Sequence, residues 1–382
     1  MMWLRRLLGL GKRAISSLPW VAGGPSNSGQ LSTDKALRLI PFFACVRLLA
    51  DSVAALPLQA YRKSGGLRLP LASPPALLDN PAAVGTRFAW MHKCVVSLAL
   101  RGNAYGLVLD RDWLGRPTMI EWLHPDEVHV DDEQPTRPRY YWQGREVASS
   151  EIVHIAWFTL PGRVAGLSPV SAFAHSIGVG LSATRYGASW FERGGQPPAT
   201  FKNTQKTIDP EESEAITERL TAKIRRGEPL VYGADWDYTG MQVTPEDSQF
   251  IQTMKLNATQ IAAIFGIPPE MVGGEPGGSL TYANVEQQAL NFVTFTLQPW
   301  LVRLEAALSS LLPRDQYVRF NADAMARADL ETRYRAHHLA LTDGWMNRDE
   351  VRVLEERPPL PDGQGATYAE PGQLNPLPAK AA

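Results

Sequence analysis

This 382-residue sequence has few cysteines, no large excess of charge of one sign and no long apolar run. Its two cysteines, Cys45 and Cys94, lie in apolar surroundings and are expected to be buried thiols, because two residues provide neither a disulfide framework nor a metal-ligand set. The 38 lysines and arginines are balanced by 39 aspartates and glutamates, whereas a protein that coats nucleic acid is strongly basic. Any contact with DNA is therefore expected to be local.

Membrane spans and export signals are not predicted either. No window offers the roughly 18 uncharged apolar residues that a spanning helix needs. The basic, apolar N-terminus contains an uncharged run of only five residues between Arg6 and Lys12, and the core of a signal peptide needs about 7–15. We interpret residues 1–31 as a segment that packs on this protein or on a partner, or that is disordered.

Catalytic and cofactor motifs are incomplete. Gly273 and Gly278 have the spacing of a phosphate-binding loop, but the lysine that must reach the phosphates is missing. His337 and His338 are adjacent, so they cannot form the i, i+4 pair of a helical metal site. His154, alone among apolar residues of a predicted strand, is interpreted as structural. The sequence therefore predicts no catalytic residue, no cofactor or metal site, and no enzyme.

Two acidic stretches have simpler explanations than cation binding. Residues 131–133 follow a predicted strand, where a solvated turn explains them and a weak cation site is left open as the alternative. Asp343, Asn347, Asp349 and Glu350 partly match a calcium loop, but the twelfth position is Leu354, which is no ligand. Asn347 followed three residues later by Glu350 instead predicts a helix capping box.

The first 160 residues combine helices with antiparallel strands. A helix is predicted from Ser32, which can cap it, to Pro57, which ends it. Its apolar residues recur at spacings of three and four: Leu37, Ile40, Phe43, Val46, Leu49 and Val53. A second helix is predicted to end at Gly102. Residues 103–160 then alternate apolar and polar side chains around a "DWLGRP" turn, which predicts a hairpin within a mostly β region.

A helix of about 26 residues, roughly 39 Å long, is predicted between Ser168, which caps it, and the glycine pair at 194–195. Its interior is rich in small residues, although each glycine costs a helix about 1 kcal/mol relative to alanine. Such a cost is expected where another backbone approaches closely, so this helix is predicted to pack against copies of itself or its neighbours. The residues assigned to this packing are Gly178, Gly180, Ala183 and Gly187.

A small β-α-β-β unit is predicted over residues 196–245, and a returning helix over 246–266. Basic side chains cluster in the small unit, where they are expected to contact DNA or an acidic partner, with an ordinary solvated surface as the alternative. These residues are Lys202, Lys206, Lys223, Arg225 and Arg226.

The stretch "FGIPPEMVGGEPGGSLTYANVEQQ" joins two amphipathic helices by a loop longer than the usual ~2–8 residues. The loop contains Glu275 and no lysine or arginine. The helix that follows is predicted over residues 284–312, with a kink at Pro299. A further helix, a break at residues 343–344 and a short helix come next, and residues 362–382 are predicted to form a disordered tail.

Seven short motifs, found in this order over residues 33–361, resemble those of the tailed-bacteriophage portal proteins, or head–tail connectors, in the branch with chainmail-type capsids. Each motif is short and degenerate, but the shared order is specific. They are "ALRLIPFFACVRLLADSVAALPLQAYR", "LALRGNAYGLVLDRDWLGRPTMIEWLHPDEV", "GLSPVSAFAHSIG", "FERGGQPPATF", "IAAIFGIPPEMVGG", "ANVEQQALNFVTFTLQPWLVRLE" and "ALTDGWMNRDEVR".

The resemblance implies an α+β portal fold that assembles as a ring, usually twelve-fold, around a channel for double-stranded DNA. The ranges it implies are a wing over 32–166, stem helices over 167–195 and 246–266, a clip over 196–245, a tunnel loop over 267–283, and a long helix, wing return and crown over 284–361. The tunnel loop is expected at the narrowest point of the channel. Its assigned residues are Met271, Gly273, Gly274, Glu275, Gly277, Gly278, Ser279, Leu280 and Tyr282.

The resemblance also implies partners. These are neighbouring copies of the chain, double-stranded DNA, the terminase large subunit, a head–tail adaptor and the major capsid or scaffold protein. The expected location is a virion vertex, assembled in the host cytoplasm without a membrane. Two alternatives stay open: another oligomeric phage head or adaptor scaffold, and an α+β hydrolase with a lid at residues 267–281. The stem–clip–stem order argues against the first, and the missing nucleophile or acid–base set argues against the second.

Overall fold

The computed structural model describes residues 31–64, 67–192, 199–205, 207–225, 235–240, 246–274, 288–321, 330–355 and 357–369. The chain forms two compact units, of which unit 1 ends at Phe320 and unit 2 starts at Asn321. Within the described ranges, no helix has both the length and the apolar character needed to cross a membrane.

Unit 1 combines helices and strands, as the sequence predicts. Its described α-helices are α1 (Thr33–Leu37), α2 (Ile40–Ala55), α3 (Ala76–Asp79), α4 (Arg87–Arg101), α5 (Pro169–Ala172), α6 (Ala174–Glu192), α7 (Pro210–Arg225), α8 (Glu246–Phe265) and α9 (Gln298–Ser309). Its described strands are β1 (Leu58–Ser64), β2 (Leu67–Pro70), β3 (Asn103–Arg111), β4 (Pro117–Leu123), β5 (Val128–Asp131), β6 (Arg139–Trp142), β7 (Arg145–Val147), β8 (Ile152–Ala156), β9 (Ala199–Asn203), β10 (Trp236–Gly240) and β11 (Gln316–Phe320).

The strands form small antiparallel sheets with the orders β11-β1-β2, β4-β3-β8, β5-β6-β7 and β10-β9. The predicted hairpin at the "DWLGRP" turn is confirmed, since β3 and β4 pair from Tyr105 opposite Leu123 to Arg111 opposite Pro117. Tyr105 and Leu123 belong to the buried cluster shared by these strands and by β5, β6 and β8. The mostly β character of residues 103–160 is therefore confirmed.

The first predicted helix is broken near its start, and the break changes which side chains are buried. Leu39 has an extended backbone (φ −79°, ψ 112°) between α1 and α2, because Pro41 lacks an N–H and its ring would clash with the preceding turn of a continuous helix. The structure buries Leu39 and Phe42, whereas Ile40 is 76% and Phe43 46% exposed. The predicted apolar stripe is therefore wrong at its N-terminal end.

Helices α2 and α4 pack against each other in the core of unit 1. They carry Cys45 and Cys94, which are free and buried, as predicted. Burial raises the pKa of the Cys45 thiol to about 12. Thr86 caps the start of α4, and Gly102 ends it with a left-handed backbone (φ 69°), which a glycine adopts without strain.

The residues before Pro299, where the sequence predicts a kink, form a π-helical segment, Phe292–Leu297, that leads into α9. The backbone N–H of Gln298 donates to the carbonyl of Val293, five residues back. Pro299 then lies in the first turn of α9, the part of a helix in which proline is best tolerated. The buried apolar side chains of α9 are Trp300, Leu301, Leu304 and Leu308.

Unit 2 contains α10 (Leu330–Thr342) and α11 (Arg348–Leu354). The capping box predicted before α11 is confirmed: the N–H of Glu350 donates to Asn347 Oδ1, and the N–H of Asn347 donates to Glu350 Oε2, both at 2.8 Å.

The segment after α11 is folded onto that helix. The N–H of Leu360 donates to Asp349 Oδ1 at 2.7 Å, and the Tyr368 hydroxyl donates to Glu350 Oε1 at 2.8 Å. The prediction of a disordered tail from residue 362 is therefore wrong for residues 362–369, because these polar contacts hold them against α11. Residues 370–382 of that predicted tail lie outside the described residues.

Candidate assembly and channel surfaces

Helices α6 and α8 form a closely packed pair, which we call the stem hairpin. A Cβ at Gly180 would lie 2.2 Å from Asn257 Oδ1 and 2.9 Å from Leu39 Cδ2, so any larger residue there would have to displace these side chains. The Asn257 amide donates to the carbonyl of Ser176 at 2.8 Å, which fixes α8 against the backbone of α6. Gly180 thus permits close packing within the chain, and Gly187 is also buried.

The stem helix differs from the single predicted helix in one respect. Phe173 (φ −109°, ψ 23°) separates the short α5, capped by Ser168, from α6. The predicted start is confirmed, but the predicted helix of about 26 residues is divided there.

No described residue covers the other side of α6, which forms a groove of about 590 Å³. Val179 and Tyr186 are 42% and 49% exposed, and a Cβ at Gly178 would meet nothing within 4 Å. The lining residues recur every three or four positions and therefore share one side of the helix. They are Ala174, His175, Gly178, Val179, Ser182, Ala183 and Tyr186. Of the residues predicted for packing, Gly178 and Ala183 thus line this outer groove.

The outer side of α8 carries a protruding leucine that sequence analysis did not identify. Ala258, Ile261 and Phe265 are buried against the rest of unit 1, whereas Leu256 is 59% exposed. Leu256 lies about half a helical turn from the buried face, at 100° per residue. The stem hairpin thus exposes a groove lined by small residues on one helix and a large apolar side chain on the other.

The small unit predicted over residues 196–245 contains β9, α7 and β10. β9 and β10 pair in antiparallel fashion from Asn203 opposite Trp236 to Ala199 opposite Gly240. Lys202 on β9 and Lys223 on α7 are exposed. Arg225 is the last residue of α7. The positions of Lys206 and Arg226, and of the additional predicted strand, lie outside the described residues.

The predicted tunnel loop begins with a folded turn. Residues Pro269–Val272 form a 3-10 turn that ends at Gly273, whose backbone is left-handed (φ 84°). Ile267 and Val272 are buried, whereas Met271 is 38% exposed. A Cβ at Gly274 would lie 2.6 Å from Pro269 Cβ, so the turn is tightly closed.

The Thr296 hydroxyl, from the π-helical segment, donates to the Gly266 carbonyl and ties that segment to the start of the turn. The first residues of the predicted loop therefore form a folded turn, in which Ile267 and Val272 are buried and Met271 is exposed. The remaining residues assigned to the loop lie outside the described residues: Glu275, Gly277, Gly278, Ser279, Leu280 and Tyr282.

A buried polar network anchors the chain just before the stem. Asn103 Oδ1 accepts from the N–H of Gly166 at 2.6 Å and lies 2.9 Å from His154 Nε2, while Asn103 Nδ2 donates to the carbonyls of Gly166 and Arg101 at 2.9 and 3.0 Å. Because Oδ1 can only accept, Nε2 of His154 carries the proton and Nδ1 accepts from the Tyr140 hydroxyl at 3.3 Å. Burial lowers the pKa of His154 to about 4. The structural interpretation of His154 is thus confirmed.

The acidic run at residues 131–133 is only partly a solvated turn. Asp132 is 7% exposed, and its Oδ2 accepts from Arg163 Nε and from the N–H of Val164, both at 3.0 Å. The solvated-turn prediction is therefore wrong for Asp132, because this carboxylate is used to hold the segment that leads to the stem. Among the residues that the structure describes, no group of three or more His, Cys, Asp or Glu is arranged to hold a metal ion.

Comparison with known proteins shows which family of proteins this chain resembles. The family model for phage portal protein matches residues 41–356. The probable portal protein of Streptomyces phage phiC31 is 31% identical to this chain, with 92% of this chain and 82% of the relative covered. The portal protein of Enterobacteria phage HK97 is 26% identical, with 91% and 85% covered.

A solved structure has a similar fold. It is a chain from the neck of a native gene transfer agent particle, computed with C12 symmetry, and it is 24% identical with a TM-score of 0.58. The comparison covers 91% of this chain and 99% of that one. The family model and the phiC31 relative each extend over most of the sequence, and both include the stem hairpin and the turn that follows it. The chain therefore belongs to the phage portal protein family.

Proposed function

We propose that this chain assembles into a twelve-membered ring at one vertex of a virion and that double-stranded DNA passes through the central channel during packaging and ejection. The observation that carries this proposal is the stem hairpin, which has a groove on the outer side of α6 and the exposed Leu256 on the outer side of α8. A structural role, rather than an enzymatic one, follows from this assignment.

A ring requires two different and complementary faces on each subunit, because every copy contacts one neighbour by each face. In the proposed ring, Leu256 of one copy packs into the groove around Gly178 and Ser182 of the next copy. The C12 symmetry of the gene transfer agent neck structure supports twelve as the number of copies.

The other surfaces have proposed roles in the same assembly. The clip, formed by β9, α7 and β10, would bind the terminase large subunit during packaging and a head–tail adaptor afterwards, through side chains such as Lys202 and Lys223. The wing would contact the major capsid or scaffold protein. Residues 275–282 would line the channel, where the absence of lysine and arginine limits the phosphate contacts that would hold DNA in place.

Mass photometry of the purified full-length chain tests the ring. Twelve chains of 42.1 kDa give a particle of about 0.5 MDa, and negative-stain images should show a central hole. Ser182→Trp should fill the groove and shift the population to single chains, whereas Ser182→Ala at the same position should leave the rings intact. A uniform population of single wild-type chains, even with the capsid scaffold present, would contradict the proposal.

DNA passage is tested separately in a packaging assay with assembled rings. Replacing Gly277 and Gly278 together by lysine adds phosphate contacts and should slow or stall DNA translocation, while Gly277 and Gly278 changed to serine should have little effect. Unaltered packaging by the variant with lysine at 277 and 278 would contradict the assignment of residues 275–282 to the channel lining.

The proposed role of the clip is tested with the double variant Lys202→Glu and Lys223→Glu. It should weaken binding of the motor or adaptor without changing ring mass.

A further inference from the structure

Unit 2 has an exposed apolar groove beside α11. Trp345, Val353 and Leu354 are 66%, 61% and 57% exposed. They line a mainly apolar groove of about 570 Å³ together with Met346, Ala366 and the polar residues Asn347, Asp349 and Glu350. Such large side chains, grouped in one concave site, are typical of a surface that binds another polypeptide.

The described part of the chain ends beside this groove. Residues 357–369 follow α11 from its C-terminal end back towards its N-terminal end. Arg352 Nε donates to the carbonyl of Pro358 at 2.8 Å, and the N–H of Asp349 donates to the carbonyl of Gly365 at 3.2 Å.

At the end of this segment the carbonyl of Ala369 lies against Gly344, where a Cβ would come within 2.2 Å of it. Gly344 immediately precedes Trp345, which lines the groove. The chain therefore continues from a point next to one end of the groove.

We propose that the groove is a docking site for this chain's own C-terminal segment, residues 371–378. The sequence of that segment is Pro-Gly-Gln-Leu-Asn-Pro-Leu-Pro, with two leucines, three prolines and no charge. Proline-rich segments bind grooves lined by aromatic side chains because their restricted backbone loses little entropy on binding. Leu374 and Leu377 supply the apolar side chains that Trp345, Val353 and Leu354 would cover.

The tether is long enough for this contact. Leu377 is eight positions after Ala369, and an extended chain advances about 3.3 Å per position. The tether therefore reaches about 26 Å. This is longer than α11, which borders the groove and whose seven residues extend only about 10 Å at 1.5 Å per residue. A short tether also holds the segment at a local concentration of about 1 mM, so even weak intrinsic affinity gives high occupancy.

Disulfide trapping in the full-length chain tests the contact. Cysteines introduced by Val353→Cys and Leu377→Cys should form a bond within one chain under mild oxidation, detected by mass spectrometry of the cross-linked peptides. The native Cys45 and Cys94 are buried and should not compete. The matched control joins Leu377→Cys to Leu339→Cys, because Leu339 is a 55% exposed leucine of the same unit that does not line the groove.

We expect at least tenfold more cross-linking for the Val353 pair than for the Leu339 pair. Equal yields for the two pairs, or no bond for the Val353 pair, would overturn the proposal. Bonds found only between two chains would also overturn it, because they would assign the groove to a segment of a neighbouring copy.

A second measurement does not depend on introduced cysteines. A chain shortened after residue 370 should bind a synthetic peptide of residues 371–380 about tenfold more tightly than the full-length chain does, because the tethered segment no longer competes. The same peptide with Leu374→Asp and Leu377→Asp should not bind, and circular dichroism checks that the shortened chain is folded. Equal affinity of the long and short chains for the unmodified peptide would contradict occupancy of the groove.

Discussion

The side-chain oxygen of Asn257 lies so close to the backbone of Gly180 that a methyl group on Gly180 would come within 2.2 Å of it. Gly178 and Gly180, two residues apart on the same helix, therefore differ in whether they can accommodate a Cβ. Gly180 faces α8, whereas a Cβ at Gly178 would enter open space.

We expect Gly180→Ala to destabilise unit 1 by about 1–3 kcal/mol, because overpacking displaces Asn257 or α8. Gly178→Ala should instead stabilise it by up to about 1 kcal/mol, because alanine favours the helix and meets no other described residue of the same chain. Urea denaturation of the two variants measures both free energies. A loss of stability in Gly178→Ala, or none in Gly180→Ala, would show that the α6–α8 contact is placed differently.

The buried His154 should make unit 1 sensitive to acid. Its pKa is about 4 in the folded chain and about 6.5 when exposed to water. Between these values the unfolded chain binds more protons than the folded chain, so the free energy of unfolding decreases as the pH is lowered from about 6.5 towards 4. Well above pH 6.5 both states are neutral and this histidine adds no pH dependence.

The comparison of wild type with His154→Gln isolates this effect from other titrating groups. From pH 7 to pH 5 the wild type should lose about 2 kcal/mol more than the variant, at 1.36 kcal/mol per pKa unit. Urea denaturation at the two pH values, followed by tryptophan fluorescence, gives the difference. The same pH dependence in both proteins would mean that His154 is accessible to protons in the folded state.

Asp132 is expected to be structural and not a cation ligand. Asp132→Ala removes the acceptor of Arg163 and of the Val164 N–H, and should destabilise unit 1 by about 2–4 kcal/mol. Asp132→Asn, which keeps an acceptor for Val164, should lose less. Thermal melting measures both variants, and millimolar calcium should leave the wild-type melting temperature unchanged. A calcium-dependent rise that disappears in Asp132→Asn would restore the cation-site interpretation.

The capping box of unit 2 can be tested locally. Asn347→Ala removes the acceptor for the N–H of Glu350 and should destabilise α11 by about 1 kcal/mol. Amide hydrogen exchange in α11 should accelerate about fivefold. Asn347→Ser retains a capping oxygen and serves as the control, with exchange close to that of the wild type. Uniform acceleration across α10 as well would indicate that Asn347 supports the whole unit.

Local signals in the sequence predicted much of this fold correctly. The Ser32 and Ser168 caps, the left-handed Gly102 and the β3–β4 turn each depend on residues next to one another, so the sequence is sufficient to predict them. The predictions of continuous helices through Pro41 and Phe173 were wrong. They relied on the spacing of apolar residues, and that spacing does not reveal a single residue whose backbone is not helical.

Features that depend on distant partners were missed for a different reason. Asp132 looks like part of a polar turn until Arg163, 31 residues away, is placed beside it. Similarly, the turn at 267–274 contains glycine and proline, which suggested an open loop, but burial of Ile267 and Val272 packs it. The exposed Leu256 could have been recognised as an apolar residue on the polar side of a helical pattern.

The meeting point of Gly102 and Gly166 has a mechanical consequence. A Cβ at Gly102 would collide with the carbonyl of Leu167, a Cβ at Gly166 would collide with the carbonyl of Gly102, and the N–H of Trp157 donates to that same carbonyl at 2.8 Å. Three segments therefore touch through peptide groups, which have no rotamers to relax under load. The end of α4, the end of β8 and the segment before the stem are thus joined by main-chain contacts, which a change of side-chain rotamer cannot loosen.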